Sequence, residues 1–221
     1  MILDLGLTDY ELAYGAQKEL VTRRRLGEVG DSLILAEHNA VFTIGRAGKM
    51  EHLLEDEGAL LEKGIKVLRV DRGGDITFHG PGQLVAYPII DLRIHKQDLH
   101  KYLRDLEGLV INFLNGYAVS GERIEGRTGV WTLGRKIASI GIGAIDWVTY
   151  HGLSINLDCD LNFFSMIHPC GLKGVEMTSL KKVLGSNISM DEARERFISN
   201  FRETFGVKED GLAIGQGACL A

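Results

Sequence analysis

The sequence Arg72-Gly-Gly-Asp-Ile-Thr-Phe-His-Gly-Pro-Gly-Gln-Leu-Val-Ala-Tyr87 concentrates polar side chains among glycines and a proline. Apolar runs typical of strands, residues 65–70 and 84–90, flank its polar part. Glycine allows backbone angles that other residues avoid, so the chain here turns sharply and lets a ligand approach closely. Binding residues often lie on loops held by rigid elements. We therefore interpret residues 72–83 as a functional loop that the rest of the chain supports.

The composition is that of an ordinary globular protein. The chain has 221 residues, of which 45% are hydrophobic and 25% charged, enough for one well-filled core. Its longest weakly polar run, residues 137–145, is far shorter than the roughly 18 residues of a membrane-spanning helix. The first residues, Met1-Ile-Leu-Asp4, lack the basic start of a signal peptide. We expect a single domain over residues 1–221, in the cytoplasm, with no membrane partner.

Several classes of ligand are disfavoured. A net charge of −5 argues against a nucleic-acid partner, because phosphate binding needs a surplus of Lys and Arg. The chain has three cysteines without C-x-x-C spacing, which predicts neither a disulfide framework nor a zinc site. The phosphate-loop motif is absent, and Gly141-Ile-Gly143 fails the G-x-G-x-x-G pattern. We expect no ATP site and no metal.

Hydrophobic periodicity predicts about three long helices interspersed with strands. Thr8-Asp-Tyr-Glu11 matches the capping box that starts a helix, while Asp98 and Ser189 are candidate N-caps of two later helices. Residues 32–37 and 41–44 are typical of strands, plausibly joined as a hairpin. This pattern indicates an α/β (α+β) fold, in which a mixed β-sheet packs against helices.

The polar side chains of the first motif suit ligand binding. Arg72 is suited to an anionic or carbonyl group, and Thr77 and His79 supply donors and acceptors. The alternative is a structural turn in which Arg72 forms a buried ion pair with Asp75 or Asp91. A single histidine is also more often structural than catalytic, so both interpretations stay open here.

The three cysteines differ in how well their surroundings suit a thiolate, which is the reactive form. Cys159 lies between two aspartates, which oppose its ionisation, and Cys219 lies two residues from the end of the chain. Cys170 lies between Pro169 and Gly171, so it occupies a loop position rather than a helix interior. Cys170 is therefore the preferred nucleophile, with a buried structural cysteine as the alternative.

A nucleophilic thiol needs a proton acceptor or a cation close by. The sequence offers His79, His151, His168 and Lys136. Lys136 opens the apolar run of residues 137–145, and partial burial of a lysine favours a role as general base. The alternative is an exposed lysine at the tip of a hairpin formed around Gly134-Arg-Lys136.

The motif of residues 72–87 resembles the signature of the octanoyltransferases of lipoate biosynthesis, the lipoyl(octanoyl) transferases. The resemblance covers about residues 33–180 and is very specific in the long motif. Shorter segments add the same order and spacing: Glu37-His-Asn-Ala-Val-Phe-Thr-Ile-Gly-Arg46, Gly134-Arg-Lys-Ile-Ala-Ser-Ile-Gly141, His151-Gly-Leu-Ser-Ile-Asn156 and His168-Pro-Cys-Gly171.

The resemblance implies a fold like the catalytic domain of biotin/lipoyl protein ligases. It also implies Cys170 as the nucleophile that forms an acyl thioester and Lys136 as the group that activates it. Ser154 stands where the family often has a small apolar residue. The implied substrate-binding residues are Arg72, Gly73, Gly74, Asp75, Ile76, Thr77, Phe78, His79, Ser139, Ile140, Gly141, Gly152, Leu153 and Ser154.

The reaction implied by the resemblance transfers an octanoyl group without ATP or a metal cofactor. The donor would be the phosphopantetheine of acyl carrier protein. The acceptor would be a lysine on a lipoyl domain of a 2-oxoacid dehydrogenase complex or on the glycine cleavage H protein. Two alternatives stay open: an ATP-dependent lipoate or biotin ligase of the same fold, and a non-catalytic module that binds acyl carrier protein.

Overall fold

The computed structural model describes residues 1–168 and 175–207 in full, and the backbone alone of residues 212–214. Two short 3₁₀ turns, Met50–His52 and Leu161–Met166, accompany the regular elements. The α-helices are α1 (Tyr10–Arg25), α2 (Glu57–Glu62), α3 (Leu99–Asn115), α4 (Leu180–Leu184) and α5 (Met190–Phe205). The strands are β1 (Ile2–Thr8), β2 (Ser32–His38), β3 (Val41–Ile44), β4 (Lys66–Arg69), β5 (Ile76–His79), β6 (Gln83–Ile89), β7 (Glu122–Ile124), β8 (Arg127–Thr132), β9 (Arg135–Ile145), β10 (Val148–Asn156) and β11 (Leu212–Ile214).

Eight strands form a large mixed sheet in the order β11-β1-β2-β6-β10-β9-β8-β7. Strand β1 pairs in parallel with β2 and β11, and the other described pairings in this sheet are antiparallel. All seven residues of β6 are buried, because helices cover both faces of the middle of the sheet. The predicted mixed sheet packed with helices is confirmed.

The two faces of the large sheet have separate cores, as the alternation of a strand requires. Leu84 and Ala86 of β6 belong to the core under α3 and α5, to which Phe197 and Phe201 also contribute. The neighbouring Val85 and Tyr87 belong to the core under α1. We call these the α3 face and the α1 face.

A small sheet of three strands, in the order β4-β3-β5, has its own core. Strand β3 pairs in parallel with β4 and antiparallel with β5. Phe78 of β5 stacks on Phe163 with the ring centroids 4.3 Å apart. Within the described part of the chain, no helix combines the length and the apolar character needed to cross a bilayer.

Two of the three predicted helix starts are confirmed. Asp98 accepts hydrogen bonds from the N–H groups of His100 and Lys101, and Ser189 accepts one from the N–H of Glu192. The capping box at the first helix is wrong. Thr8 is still in β1, where it pairs with His38, so Asp9 becomes the N-cap and makes no capping hydrogen bond through its side chain.

The predicted hairpin of residues 32–44 is also wrong, although both strands exist. Strand β2 pairs with β1 and β6 in the large sheet, whereas β3 pairs with β4 and β5 in the small sheet. The two strands part at His38, whose ring lies 3.1 Å from the carbonyl of Thr8 and 2.6 Å from the hydroxyl of Tyr87. This separation of neighbouring strands opens the space in which the candidate site lies.

Candidate functional site

A cleft of about 560 Å³ of empty space, which we call the first cleft, lies between the α1 face of the large sheet and strand β5. Its lining gathers most of the residues that the sequence predicts as binding residues, together with Lys136. Those that line it are Arg72, Gly74, Asp75, Ile76, Thr77, His79, Ser139, Ile140, Gly141, Gly152, Leu153 and Ser154.

Two predicted residues have other positions. Phe78 packs into the core of the small sheet, because alternate residues of a strand point to opposite faces and Thr77 and His79 face the cleft. Gly73 donates a 2.7 Å hydrogen bond from its N–H to the carbonyl of Ile142, at the edge of β9. Gly73 therefore lies beside the first cleft and lines a neighbouring one.

The prediction of one loop over residues 72–83 is wrong in its middle. Residues 76–79 form β5, paired with β3 from Ile44–Ile76 to Val41–His79. Only the turns on either side, which hold the glycines, lack regular structure. The polar side chains at Thr77 and His79 are consequently fixed on a strand.

Small residues form the floor of the first cleft. Ser139 pairs with Ser154 and Gly141 pairs with Gly152 on the adjacent strands β9 and β10. All four lie on the α1 face, two residues apart on each strand. A Cβ at Gly141 would stand 2.7 Å from the carbonyl oxygen of Gly73, so this position has no room for a side chain. The floor thus leaves a groove for a thin, extended ligand.

Arg72 is a buried wall of the cleft, with 8% of its surface exposed. Its guanidinium donates to the carbonyl of Thr43 at 2.6 Å and to the hydroxyl of Thr43 at 3.0 Å. The two carboxylates offered as its alternative partners are engaged elsewhere: Asp75 lies 2.7 Å from His52, and Asp91 accepts a bidentate pair of hydrogen bonds from Arg93. Arg72 therefore ties β3 to the wall of the cleft.

A hydrogen-bonded chain of side chains, the buried Tyr10 and His151 and the partly exposed Asp71, closes one end of the cleft. The Nε2 of His151 lies 2.8 Å from Asp71, and its Nδ1 lies 3.3 Å from the hydroxyl of Tyr10. Burial lowers the pKa of His151 to about 4 although Asp71 acts in the opposite direction. The ring is therefore neutral near pH 7, with Nε2 donating to Asp71 and Nδ1 accepting from Tyr10.

Asp71 anchors this end wall. Burial acts to raise the pKa of Asp71, but hydrogen bonds lower it by more, and the pKa lies well below its usual range. The carboxylate accepts from four side chains at 2.7 to 3.1 Å: His151, Tyr150, Tyr14 and Lys18. His151 itself has a φ of +54°, a region uncommon for residues other than glycine. Such strain often accompanies functional sites.

Two further neutral histidines stand behind the same wall. Burial holds the pKa of His79 well below 6.5 and lowers that of His38 to about 4. The Nδ1 of His79 lies 3.2 Å from the side-chain oxygen of Gln83, whose amide nitrogen donates to Phe78 and Asn156. His79 therefore donates through Nδ1 and keeps Nε2 as an acceptor.

Sequence reasoning missed Tyr10 and Asp71 as members of this site. Tyr10 is a buried residue of α1, and its ring stacks on His79 at 5.9 Å and lines the cleft. The available signal was the hydroxyl, since a buried tyrosine needs a hydrogen-bond partner.

Lys136 lies at the other end of the cleft, near the start of β9. The exposed-lysine alternative is wrong: the hairpin exists, but Lys136 is 3% exposed, and Arg135 takes the outer position and pairs with Glu176 at 2.9 Å. The Nζ of Lys136 lies 5.2 Å from the ring centroid of Trp131. Its main chain pairs in parallel with Met177, so the segment after residue 174 lies beside Lys136.

The candidate nucleophile Cys170 lies outside the described residues, as does Cys219. Cys159 is described and is buried, which raises the pKa of its thiol to about 12. Burial contributes most of this shift, and the flanking aspartates that the sequence suggested as its cause contribute least. The low rank of Cys159 as a nucleophile is therefore confirmed, chiefly for a different reason.

Comparison with known proteins gives consistent results. The family model "Lipoyl protein ligase A/B catalytic domain" matches residues 9–202. The octanoyltransferase of Syntrophotalea carbinolica is 46% identical over 201 residues, covering 91% of this chain and 92% of that protein. The octanoyltransferase of Rubrobacter xylanophilus is 46% identical over 203 residues, covering 91% of each.

A solved structure shows the same fold at low sequence identity. The structure of P. falciparum LipL1 in complex with lipoate matches with a TM-score of 0.76 and 14% identity. The match covers 97% of this chain, which spans 65% of the length of that protein. The predicted lipoyl-ligase-like fold is therefore confirmed.

Proposed function

We propose that this chain, which belongs to the octanoyltransferase family and is a transferase, moves an octanoyl group from the phosphopantetheine of acyl carrier protein to a lysine of a lipoyl domain. The acceptors would be the lipoyl domains of 2-oxoacid dehydrogenase complexes or the glycine cleavage H protein, in the cytoplasm. One observation carries the proposal: twelve of the fourteen predicted binding residues and the buried Lys136 line a single cleft.

The first cleft suits the octanoyl chain. Its floor of Ser139, Gly141, Gly152 and Ser154 is narrow and its far end is closed by Tyr10 and His151. From Lys136 to Gly141 the strand advances five residues, or about 17 Å at 3.3 Å per residue. An extended eight-carbon chain fits within this length, and the side chains at the two ends of the cleft occupy the remainder. The end wall would therefore limit the length of the acyl chain.

Cys170 would form the acyl-enzyme. Its thiolate attacks the thioester carbonyl, a new S–C bond forms at Cys170, and the bond to the phosphopantetheine sulfur breaks. The amine of the acceptor lysine then attacks the octanoyl-Cys170 thioester, which forms the amide and releases the thiolate of Cys170. Because a thioester is exchanged before an amide forms, the reaction needs neither ATP nor a metal.

Lys136 would move the protons. It accepts the proton of the Cys170 thiol, returns it to the departing phosphopantetheine thiolate, and then helps to remove a proton from the incoming amine. Its burial and its position at the reacting end of the first cleft support this role.

The neighbours of the Cys170 segment also support the role of Cys170. On one side His168 donates its N–H to the carbonyl of His52. The ring Nδ1 of His52 in turn lies 2.7 Å from Asp75 of the first cleft. On the other side Met177 pairs with Lys136. The described residues on either side of Cys170 are therefore connected to Asp75 and Lys136, which both line the first cleft.

The test combines two cysteine variants with two donors. With octanoyl-acyl carrier protein and a lipoyl domain, Cys170→Ala should abolish the gain of one octanoyl mass on the acceptor, whereas the buried Cys159→Ala should keep it. Free octanoate with ATP should give no transfer. Transfer from octanoate and ATP would indicate an ATP-dependent ligase, and transfer from octanoyl-acyl carrier protein by Cys170→Ala would rule out the octanoyl-Cys170 intermediate. Absence of transfer in the unmodified chain would indicate a binding module.

A further inference from the structure

Strand β8 separates from β9 part way along its length. The register between them runs from Thr132–Arg135 to Val130–Ala138 and ends there. The next residue, Gly129, has a φ of +133°, which side chains other than glycine rarely allow. A Cβ there would stand 2.6 Å from the carbonyl oxygen of Ala138 and 2.8 Å from Cε of Lys136. Strand β7 pairs with the other edge of β8, from Ile124–Arg127 to Glu122–Trp131, so β8 stays in the sheet on both sides of Gly129.

A buried carboxylate holds this bend. Glu107 of α3 is 1% exposed, and its Oε1 accepts the N–H of Gly129 at 3.2 Å. Its Oε2 accepts from Arg104 at 2.7 Å and from Arg123 at 3.0 Å. Because both oxygens of Glu107 are bound, the separation of the two strands is a fixed feature of the fold.

The separation leaves part of the β9 edge without a neighbouring strand in the described residues. Ala138 pairs with Val130, and Ile142 accepts the N–H of Gly73 at 2.7 Å. Alternate residues of a strand direct their N–H and C=O to the same edge. The N–H and C=O of Ile140 therefore point into the gap. They lie between those of Ala138 and Ile142, which have the partners just named.

This gap is a cleft of about 1020 Å³ of empty space, which we call the second cleft. Its walls are apolar: Leu103, Trp131, Ile140, Ile142 and Val175. Arg127 and Thr128 lie at its exposed rim. The second cleft meets the first at Gly74, Asp75, Lys136, Ile140 and Gly141, so a ligand in one reaches the same lysine as a ligand in the other.

We propose that the second cleft binds the phosphopantetheine arm of the acyl donor, an inference that rests on the proposed function. The arm is an extended chain with two amides, a dimethyl branch and a terminal phosphodiester. An amide pairs with the main chain of Ile140, as a peptide pairs with an open strand edge. The dimethyl branch packs on the apolar walls, and Arg127 binds the phosphodiester.

The charges of the second cleft also favour the phosphopantetheine arm, rather than the acceptor lysine, as its ligand. The second cleft has a cation at each end, Lys136 within and Arg127 at the rim, and the carboxylate of its described lining, Asp75, lies 2.7 Å from His52. This arrangement attracts the phosphodiester anion and repels the ammonium of a lysine. The thioester end of the arm is thereby brought to Lys136, and the octanoyl chain continues into the first cleft.

The experiment compares three octanoyl thioesters that share the reacting group: N-acetylcysteamine, which has one amide, pantetheine, which has two, and phosphopantetheine, which adds the phosphate. The rate of thiol release in the presence of a lipoyl domain gives kcat/KM for each donor. We expect kcat/KM to rise along this series, by about tenfold for the phosphate at low salt.

Substitutions of the exposed residues Arg127 and Thr128 test where the arm binds. Arg127→Gln should remove the advantage of the phosphate and leave the pantetheine donor within about twofold, whereas Arg69→Gln, an exposed arginine of the small sheet, should change no donor. Thr128→Trp should lower kcat/KM about tenfold for both pantetheine donors, and much less for N-acetylcysteamine, by filling the cleft.

The two failures are distinguishable. If all three donors octanoylate the lipoyl domain with equal kcat/KM, or if Arg127→Gln affects them equally, the second cleft does not bind the arm while the proposed function stands. If no donor octanoylates the lipoyl domain, the proposed function fails, and this inference fails with it.

Discussion

The two clefts that meet at Lys136 are built from different kinds of group. The first has walls of buried polar side chains, Arg72, His79 and His151, each fixed by a hydrogen bond to the protein. The second has apolar walls, an open strand edge and an exposed rim with Arg127. A cleft with preorganised walls discriminates by shape, whereas an unpaired strand edge accepts any extended chain with amides. The difference suggests that the acyl chain is selected and its carrier is accommodated.

We expect the largest effect from a substitution of Lys136, the residue that lines both clefts. Lys136→Met keeps the apolar stem, so the fold should be retained, but it removes the proton carrier. Octanoyl transfer to a lipoyl domain should fall by about 10²- to 10⁴-fold. The neighbouring Arg135→Gln, which loses only an exposed ion pair with Glu176, is the control and should stay near the unmodified rate. Full activity in Lys136→Met would remove the role given to this residue.

Ser139→Leu tests whether the first cleft selects the acyl chain. The added side chain would occupy the floor and displace about three methylenes of the octanoyl group. At about 0.8 kcal/mol for each methylene, kcat/KM for an octanoyl donor should fall by about 50-fold. A butanoyl donor, too short to reach the obstruction, is the internal control. Equal losses for both donors would show that the acyl chain lies elsewhere.

The neutral histidines in and next to the wall of the first cleft predict a loss of stability in acid. The pKa of His38 and of His151 is about 4 in the folded protein, below the ordinary value near 6.5, so the unfolded chain binds protons more readily as the pH falls. Between pH 7 and pH 5 each histidine should lower the free energy of unfolding by about 2 kcal/mol. Urea denaturation at a series of pH values measures this.

A variant of His38 tests whether this histidine causes part of the loss of stability in acid. His38→Gln should flatten the decline by about the contribution of one histidine, although it lowers stability at pH 7. The exposed His100→Gln, in the first turn of α3, should leave the pH dependence unchanged. A decline that is equally steep in His38→Gln would place the titrating group outside this wall.

Sequence patterns predicted the helices, most strands and the floor of the first cleft, because these depend on local alternation and on the resemblance. Strand β6 and the caps at Asp98 and Ser189 are local features of this kind. The alternation of a strand over residues 76–79 also predicts that Phe78 points away from Thr77 and His79. The resemblance, in contrast, implied all of these residues together as binding residues.

The remaining features depend on contacts between distant segments. Strands β2 and β3 enter different sheets because His38 is held by Thr8 and Tyr87, which no short window of sequence shows. The end wall joins Tyr10, Asp71 and His151 from three elements. The second cleft exists because Glu107, far away in the chain, binds the N–H of Gly129.

The most direct measurement is the site of the octanoyl group during the reaction. The unmodified chain is mixed with octanoyl-acyl carrier protein without an acceptor, quenched in acid, digested and analysed by mass spectrometry. We predict one octanoyl mass on the peptide that contains Cys170, none on the peptides with Cys159 and Cys219, and loss of that mass when a lipoyl domain is added before the quench. Octanoylation of another residue, or octanoyl transfer without any acylated cysteine, would contradict the proposed thioester mechanism.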